Sequence, residues 1–296
     1  MIEADALGAA SGVSVVDGGS ESRLWRRLRQ SRSARLGAAI LLAILLAALL
    51  GPLASRYGAQ QLDWTHIAVP PFAGAHWLGT DRLGRDLAVR MLYGARLSLA
   101  IGFTATAVSV IIGVAWGAAA GFAGGRIDGV MMRIVDGLNA LPYLLLVIAL
   151  TTLFGRGNPY VLFAGIGAVG WITMARIVRG QALSLERSTF IEAAVASGAS
   201  APRILARHII PNLAGPVVVY AALTVPQMIL FESFLSFLGL GIGEPLASLG
   251  SLIRDGAAQM GSAPWLLAAP ASLLALLLLG LNLLGDALRD ALDPRG

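Results

Sequence analysis

The 296-residue chain is 56% hydrophobic and only 13% charged, with a formal net charge of +5 and a mean hydropathy of +0.74. That balance lies outside the range of soluble domains and points to an integral membrane protein. Having no cysteine, the chain can build no disulfide framework, thiol nucleophile or thiolate metal site. All 22 basic residues are arginine, so the lysine that a phosphate-binding loop requires is missing and the chain cannot be its own ATPase of that type. The arginines are spread over many loops instead of forming one basic stripe, which argues against a nucleic-acid partner.

Residues 1–22 are rich in Gly, Ser and acidic groups and are expected to be disordered, within an N-terminal tail of residues 1–32. The apolar stretch after Arg35 is too long for a signal-peptide core and lacks a small-x-small cleavage site, so it reads as an uncleaved first helix anchored by arginines. A bilayer span needs about 20 apolar helical residues, because backbone groups in lipid must be paired internally. Windows meeting that need are Leu36 to Ala54, Leu97 to Phe122, Leu138 to Phe154, Tyr160 to Val178, Gly215 to Leu235 and Trp265 to Leu284. The third is short, and Asn139 and Pro142 near its start predict a packed or bent helix end. The fold class is therefore all-α and polytopic, with about six spans in a membrane domain over residues 33–296. With both termini inside, fifteen arginines face the cytoplasm and seven face out, in keeping with the positive-inside rule.

Between the first two spans stands His76-Trp77-Leu78-Gly79-Thr80-Asp81-Arg82-Leu83-Gly84-Arg85-Asp86, followed by Tyr93-Gly94-Ala95-Arg96-Leu97-Ser98-Leu99. Acid and Arg clusters flanked by glycine predict a tight polar loop cross-linked by ion pairs, with Asp81, Arg85 and Asp86 as its candidates. The three histidines, His66, His76 and His208, are read as falling in separate loops, so no metal centre is expected. Gly113, Gly117, Gly121, Gly125 and Gly129 recur every four residues. At least the first three are expected on one helix face that admits a close neighbour, in this chain or in another. Gly165 to Gly170 matches G-x-G-x-x-G inside an apolar span, where helix packing is the expected use and a nucleotide is not.

The longest polar interruption is Gly180 to Ala214. Thr189 and Glu192 fit a capping box opening a short helix. Ala193, Ala194 and Ser197 give that helix a smooth face, and Gly198 is a left-handed stop. Ser200 is placed to cap a second helix that tolerates Pro202 in its first turn and is broken near Pro211. Spacing alone leaves two readings open, an interfacial amphipathic hairpin with no partner and a docking element.

In the fifth span and just beyond it lies Phe231-Glu232-Ser233-Phe234-Leu235-Ser236-Phe237-Leu238-Gly239-Leu240-Gly241. A carboxylate near a bilayer boundary needs water, a cavity or a partner, which makes Glu232 a candidate pathway or gate residue. The C-terminus reads Asn282-Leu283-Leu284-Gly285-Asp286-Ala287-Leu288-Arg289-Asp290-Ala291-Leu292-Asp293-Pro294-Arg295. Its Gly-Asp pair has no second membrane aspartate in a matching context, so an intramembrane protease is not supported.

Glu192-Ala193-Ala194, three residues, Gly198, nine residues, His208, one residue and Ile210-Pro211 resemble the EAA loop of permease subunits in ATP-binding-cassette importers. His208 stands where that motif usually has Ile, and Ile210 where it has Leu. The blocks around Asp81, Glu232 and Asp286 resemble the C-type subunits of dipeptide, oligopeptide and nickel permeases. The resemblance implies that Glu192, Ala193, Ala194, Gly198, His208 and Pro211 couple the membrane helices to separate ATPase subunits. Those subunits would bind ATP and magnesium, leaving this chain noncatalytic and without a cofactor of its own. It further implies a B-type permease partner, an extracytoplasmic solute-binding protein and a place in the bacterial cytoplasmic membrane, with both termini cytoplasmic. The competing class is a secondary transporter or channel without an ATPase. It would place ionisable groups or broken helices at mid-membrane in related halves, whereas these spans are nearly free of charge. A membrane hydrolase would want a set such as H-E-x-x-H, and none occurs in the sequence.

Overall fold

The computed structural model describes residues 26–73, 76–154 and 159–292. Residues 1–22, expected to be disordered, lie outside them, and residues 26–30 of the tail are helical. The elements in chain order are α1 (Arg32–Ala54), α2 (Leu87–Ala123), α3 (Gly125–Asn139), α4 (Tyr143–Phe154) and α5 (Pro159–Glu186). They continue with α6 (Thr189–Ala196), α7 (Ala201–Ile204), a π-helical turn (Leu205–Ile209), α8 (Ile210–Phe237), α9 (Leu249–Ala257) and α10 (Trp265–Leu292). Among the described residues, four continuous helical stretches are long and apolar enough to cross a membrane: α1, α2, the run from Ala201 to Phe237, and α10. In α1, Leu36, Leu42, Leu45, Leu46, Leu49, Leu50 and Leu53 are all exposed. A helix apolar on its outer face as well as its inner one suits lipid on that face.

The expected spans lie within longer helices at most ends, the fourth reaching Glu186 and the sixth Leu292, and two of them depart further. The window read from Leu138 is interrupted at Ala140 to Pro142, and α4 has only 12 residues, about 18 Å of helix against a hydrocarbon core of about 30 Å. The residues before the break belong to the amphipathic helix α3, which carries Asp128 and Asp136 toward α5: Arg179 Nε and Nη2 donate to Asp128 at 2.5 and 2.6 Å, and Arg176 Nη2 donates to Asp136 at 2.7 Å. The second span starts ten residues early, at Leu87, because Asp86 Oδ1 accepts from the Val89 N–H at 2.9 Å and caps the helix there. Tyr93 to Arg96, read as part of the loop before that span, is therefore helical.

Helix α2 is the centre of the bundle, and glycine sets its distance to α5. A Cβ on Gly113 would fall 2.6 Å from Met174 Cβ, and one on Gly121 2.7 Å from Ala182 Cβ. The neighbour of the stripe is thus within this chain. Gly125 and Gly129 do not share in it, because α2 ends at Gly124 (φ +60) and the chain turns through Gly125 (φ +51) into α3. The G-x-G-x-x-G string packs too: Gly167 meets Val108, and Ser109 Oγ donates to the Gly167 carbonyl at 3.1 Å. On the other side α1 lies against α10, where a Cβ on Gly37 would stand 2.8 Å from the Gly280 carbonyl oxygen.

Candidate functional site

The loop between α5 and α8 forms a short helix held to the membrane helices by its inner face. Ile191 is buried in one cluster with Ala118, Met174, Val178, Ala182, Ile204, Ile209 and Leu213, and Phe190 and Ala194 pack against it. Glu192, Ala193, Val195 and Ala196 are exposed, Val195 at 55%. Two of the three EAA residues therefore face outward, and Ala194 turns inward. The expected capping box is not formed. Ser188 occupies the cap position without a side-chain bond to the helix, and its hydroxyl donates instead to the Leu185 carbonyl, leaving Thr189 as the first helical residue. Gly198 does act as the left-handed stop, at φ +76; Ser200 stands at the cap position of α7 with Pro202 in the first turn, but its side chain makes no bond to the helix.

Pro211 does not end the second helix as expected. The chain widens into the π-helical turn, where the Ile210 N–H donates to Leu205 five residues back, and Asn212 Nδ2 donates to the His208 carbonyl at 2.6 Å. Pro211 has no N–H of its own to place, and with this register the helix continues into α8. His208 is half-buried, between the exposed Arg207 and the buried Ile209. Motion of α6 is consequently passed to α8 through the Ile191 cluster, and α7 runs without a break through the π-helical turn into α8.

The loop between α1 and α2 forms ion pairs at two of the three predicted residues. Arg85 Nε donates to Asp81 Oδ2 at 2.7 Å and Arg85 Nη1 to Glu244 Oε2 at 2.8 Å. The buried Arg90 lies 3.6 Å from Asp81 and 3.5 Å from Glu244. Burial pushes the Glu244 carboxyl up, and Arg85 and then Arg90 outweigh it, leaving Glu244 below the ordinary carboxylate range. Asp86 pairs with no arginine among the described residues. Besides capping α2 it meets His76 Nδ1 at 2.8 Å, and His76 lies close to His66, with ring centroids 5.8 Å apart. The expectation of three separate histidines thus fails for two of them. Glu244 and Arg90 were missed because their partners are far away in sequence.

Glu232 is 0% exposed. Its Oε2 accepts from Ser98 Oγ of α2 at 2.9 Å and its Oε1 from Ser236 Oγ at 2.7 Å. Ser98 Oγ also accepts from the Leu249 N–H at 3.4 Å, so one carboxylate joins α2, α8 and the start of α9. Pro211 and Glu232 stand 21 positions apart on α8, about 32 Å along the axis, and so mark opposite ends of the domain.

Between these ends lies a cavity of about 670 Å³ bounded by α2, the break before α4, α5 and α8. Asn139, Thr173, Tyr220, Thr224 and Gln227 bring polar groups to it, and among the described lining residues none is charged. Tyr220, Thr224 and Gln227 repeat at helical spacing on α8, a polar edge on an apolar span that hydropathy alone conceals.

Residues 85–295 match the family model described as binding-protein-dependent transport system inner membrane component. The chain belongs to that family. It is a membrane permease component of the binding-protein-dependent transport class, and residues 22–71 also match a model for the N-terminal transmembrane domain of oligopeptide transport permease C. The oligopeptide transport system permease protein OppC of Escherichia coli K12 is 49% identical over 271 residues, covering 91% of this chain and 89% of that one. OppC of Haemophilus influenzae is 47% identical over 271 residues, with 91% and 87% covered. The dipeptide transport system permease protein DppC of Bacillus subtilis 168 is 44% identical over 272 residues, with 92% and 84% covered. Among solved structures, a chain of the MetNI methionine ABC transporter in an inward-facing conformation matches with a TM-score of 0.54 at 18% identity, covering 69% of this chain and 96% of that chain. That likeness concerns the fold of this permease component, whose helical core is shared.

Proposed function

We propose that this chain is the C-type half of an ATP-driven peptide importer, noncatalytic itself and set with both termini in the cytoplasm. Its α6 docks on a separate ATPase subunit that binds ATP and magnesium. The observation that carries the reading is the double attachment of α6, with Ile191 sunk in the transmembrane cluster while Glu192 and Ala193 face outward. Such a helix can pass rigid-body motion from a docked subunit to α2, α5 and α8. Gly198 lets the chain turn back without burying that outer face, and His208 and Pro211 sit where the push would enter α8.

The cavity beside α8 is the part of the translocation route supplied by this half, the other half coming from a B-type permease. Neutral donors and acceptors at Asn139, Thr173, Tyr220, Thr224 and Gln227 can satisfy peptide amides of any sequence, and the lack of charge in this lining avoids selecting one side-chain type. Selection then falls to an extracytoplasmic binding protein docking on the side of Asp81, Arg85 and Glu244. Glu232 serves as an internal tie at that end.

Affinity purification of the chain in mild detergent tests the reading. An ATPase should copurify and be lost with Glu192→Arg, which alters an exposed position. A stable homo-oligomer that transports with an ion gradient and brings down no ATPase would overturn it.

A further inference from the structure

The loop between α1 and α2 gathers Asp63, His66 and His76 so that one ligating atom from each lies within 4.8 Å of the others. Asp63 Oδ2 is 2.9 Å from His66 Nδ1 and 3.6 Å from His76 Nε2. Two ligands of a tetrahedral zinc ion, each about 2.0–2.1 Å from the metal, stand about 3.4 Å apart. Both spacings are within about half an ångström of that value, so small side-chain adjustments would form the shell.

His76 supplies an independent reason. It is 1% exposed, and Asp86 Oδ2, an acceptor 2.8 Å from Nδ1, receives the Nδ1–H hydrogen bond, which in the neutral ring leaves a lone pair on Nε2. That Nε2 is buried and has no hydrogen-bond partner among the described residues, while it points toward Asp63. A buried acceptor left in this way is costly. An imidazole oriented by a carboxylate on one nitrogen and free on the other is the arrangement seen at metal-bound histidines.

The supporting groups are fixed as well. Asp86 is held at the start of α2 by its bond from the Val89 N–H. Asp63 Oδ1 accepts from the Thr65 N–H at 3.0 Å and from the Thr65 hydroxyl, turning Oδ2 toward the histidines. The ring of Tyr57 lies over His76, centroid to centroid 4.2 Å, and helps exclude water from one side.

We propose that Asp63, His66 and His76 bind a divalent transition-metal ion of the zinc class, with Asp86 as the residue that orients His76. Two imidazoles and one carboxylate favour such ions over calcium or magnesium, which take oxygen shells. The fourth position is left to water. Bound metal ties the segment around Asp63 to the first turn of α2 and stiffens the outer loop.

The test uses the full chain in its purified complex, carrying an affinity tag without histidine, stripped with chelator and titrated with Zn²⁺ by calorimetry and with Co²⁺ by visible absorption. One ion per chain is expected to bind, with a cobalt spectrum showing nitrogen ligation. Because His66 is largely exposed, His66→Gln can be read without loss of fold, and should weaken binding at least about tenfold. Asp86→Asn should weaken it by about 10–100-fold, the range for an orienting partner. Saturable binding that is the same in wild type and His66→Gln, or no binding by the wild type, would overturn the proposal.

Discussion

Arg96 gives Ala48 the hydrogen bond that Pro52 cannot. Pro52 lies inside α1, and as an imino residue it has nothing to donate to the carbonyl four residues back. That carbonyl, on the fully buried Ala48, accepts from Arg96 Nε at 2.5 Å, and Arg96 Nη2 donates to Leu49 O at 2.9 Å. An arginine inside α2 is thus the repair of a proline in α1, and it joins the two helices.

Arg96→Ala should therefore destabilise the domain by about 1–3 kcal/mol, the cost of a buried acceptor left unpaired. Pro52→Ala restores a donor within α1, so in that background the Arg96→Ala loss should shrink. Thermal unfolding of the four proteins of this double-mutant cycle checks the coupling; equal losses in both backgrounds would separate the two residues.

The glycine stripe should divide by position. Gly121→Leu adds a side chain where even a Cβ would lie 2.7 Å from Ala182 Cβ, and is expected to separate α2 from α5 and prevent assembly. Gly129 has open space around its missing Cβ and sits within α3, so Gly129→Ala should be neutral or stabilise by up to about 1 kcal/mol. Expression level and melting temperature of the two variants measure the contrast.

Asp128 governs an acid-sensitive contact. The Arg179 guanidinium holds the Asp128 carboxyl below its ordinary value. With the native value depressed, the unfolded chain binds more protons in the window just below the usual carboxylate value of about 3.9. The contribution is complete above that value and is lost as the pH falls through the lower native one. Melting curves from neutral pH down into this window should show a steeper acid loss in wild type than in Asp128→Asn, whose melting temperature at neutral pH should already be lower.

Glu232→Ala removes the acceptor shared by Ser98 and Ser236 and should cost about 1–3 kcal/mol, seen as a lower melting temperature. Glu232→Gln keeps one carbonyl acceptor and, through hydroxyl rotation, should lose less. If the carboxylate also serves the outer gate, Glu232→Gln will lower peptide uptake in reconstituted complex; unchanged uptake and ATPase coupling would leave it a structural tie.

The spans were legible because runs such as Leu41 to Leu50 leave no choice to a backbone in lipid. Their ends were not. Asp86 and Arg96 read as loop residues, yet Asp86 caps α2 through Val89 and Arg96 lies within α2, bonded to Ala48, which is far off in sequence. The same long-range folding brings His66 to His76, ten positions apart in a loop whose path has no periodic signature. Thr189 and Glu192 had the spacing of a capping box, but Ser188 precedes them and takes the cap position. Pro211 carried the usual signal for a break, and a wider turn absorbed it.

The central claim is that α6 faces a separate ATPase from the cytoplasm. Because the chain has no cysteine, Ala193→Cys creates a single reactive thiol on the exposed face of that helix. In membranes containing the coexpressed subunits, a short thiol cross-linker should join Ala193→Cys to the ATPase, while an impermeant reagent added from outside should leave it unlabelled. Labelling from outside, or no cross-link although the complex assembles, would contradict the claim.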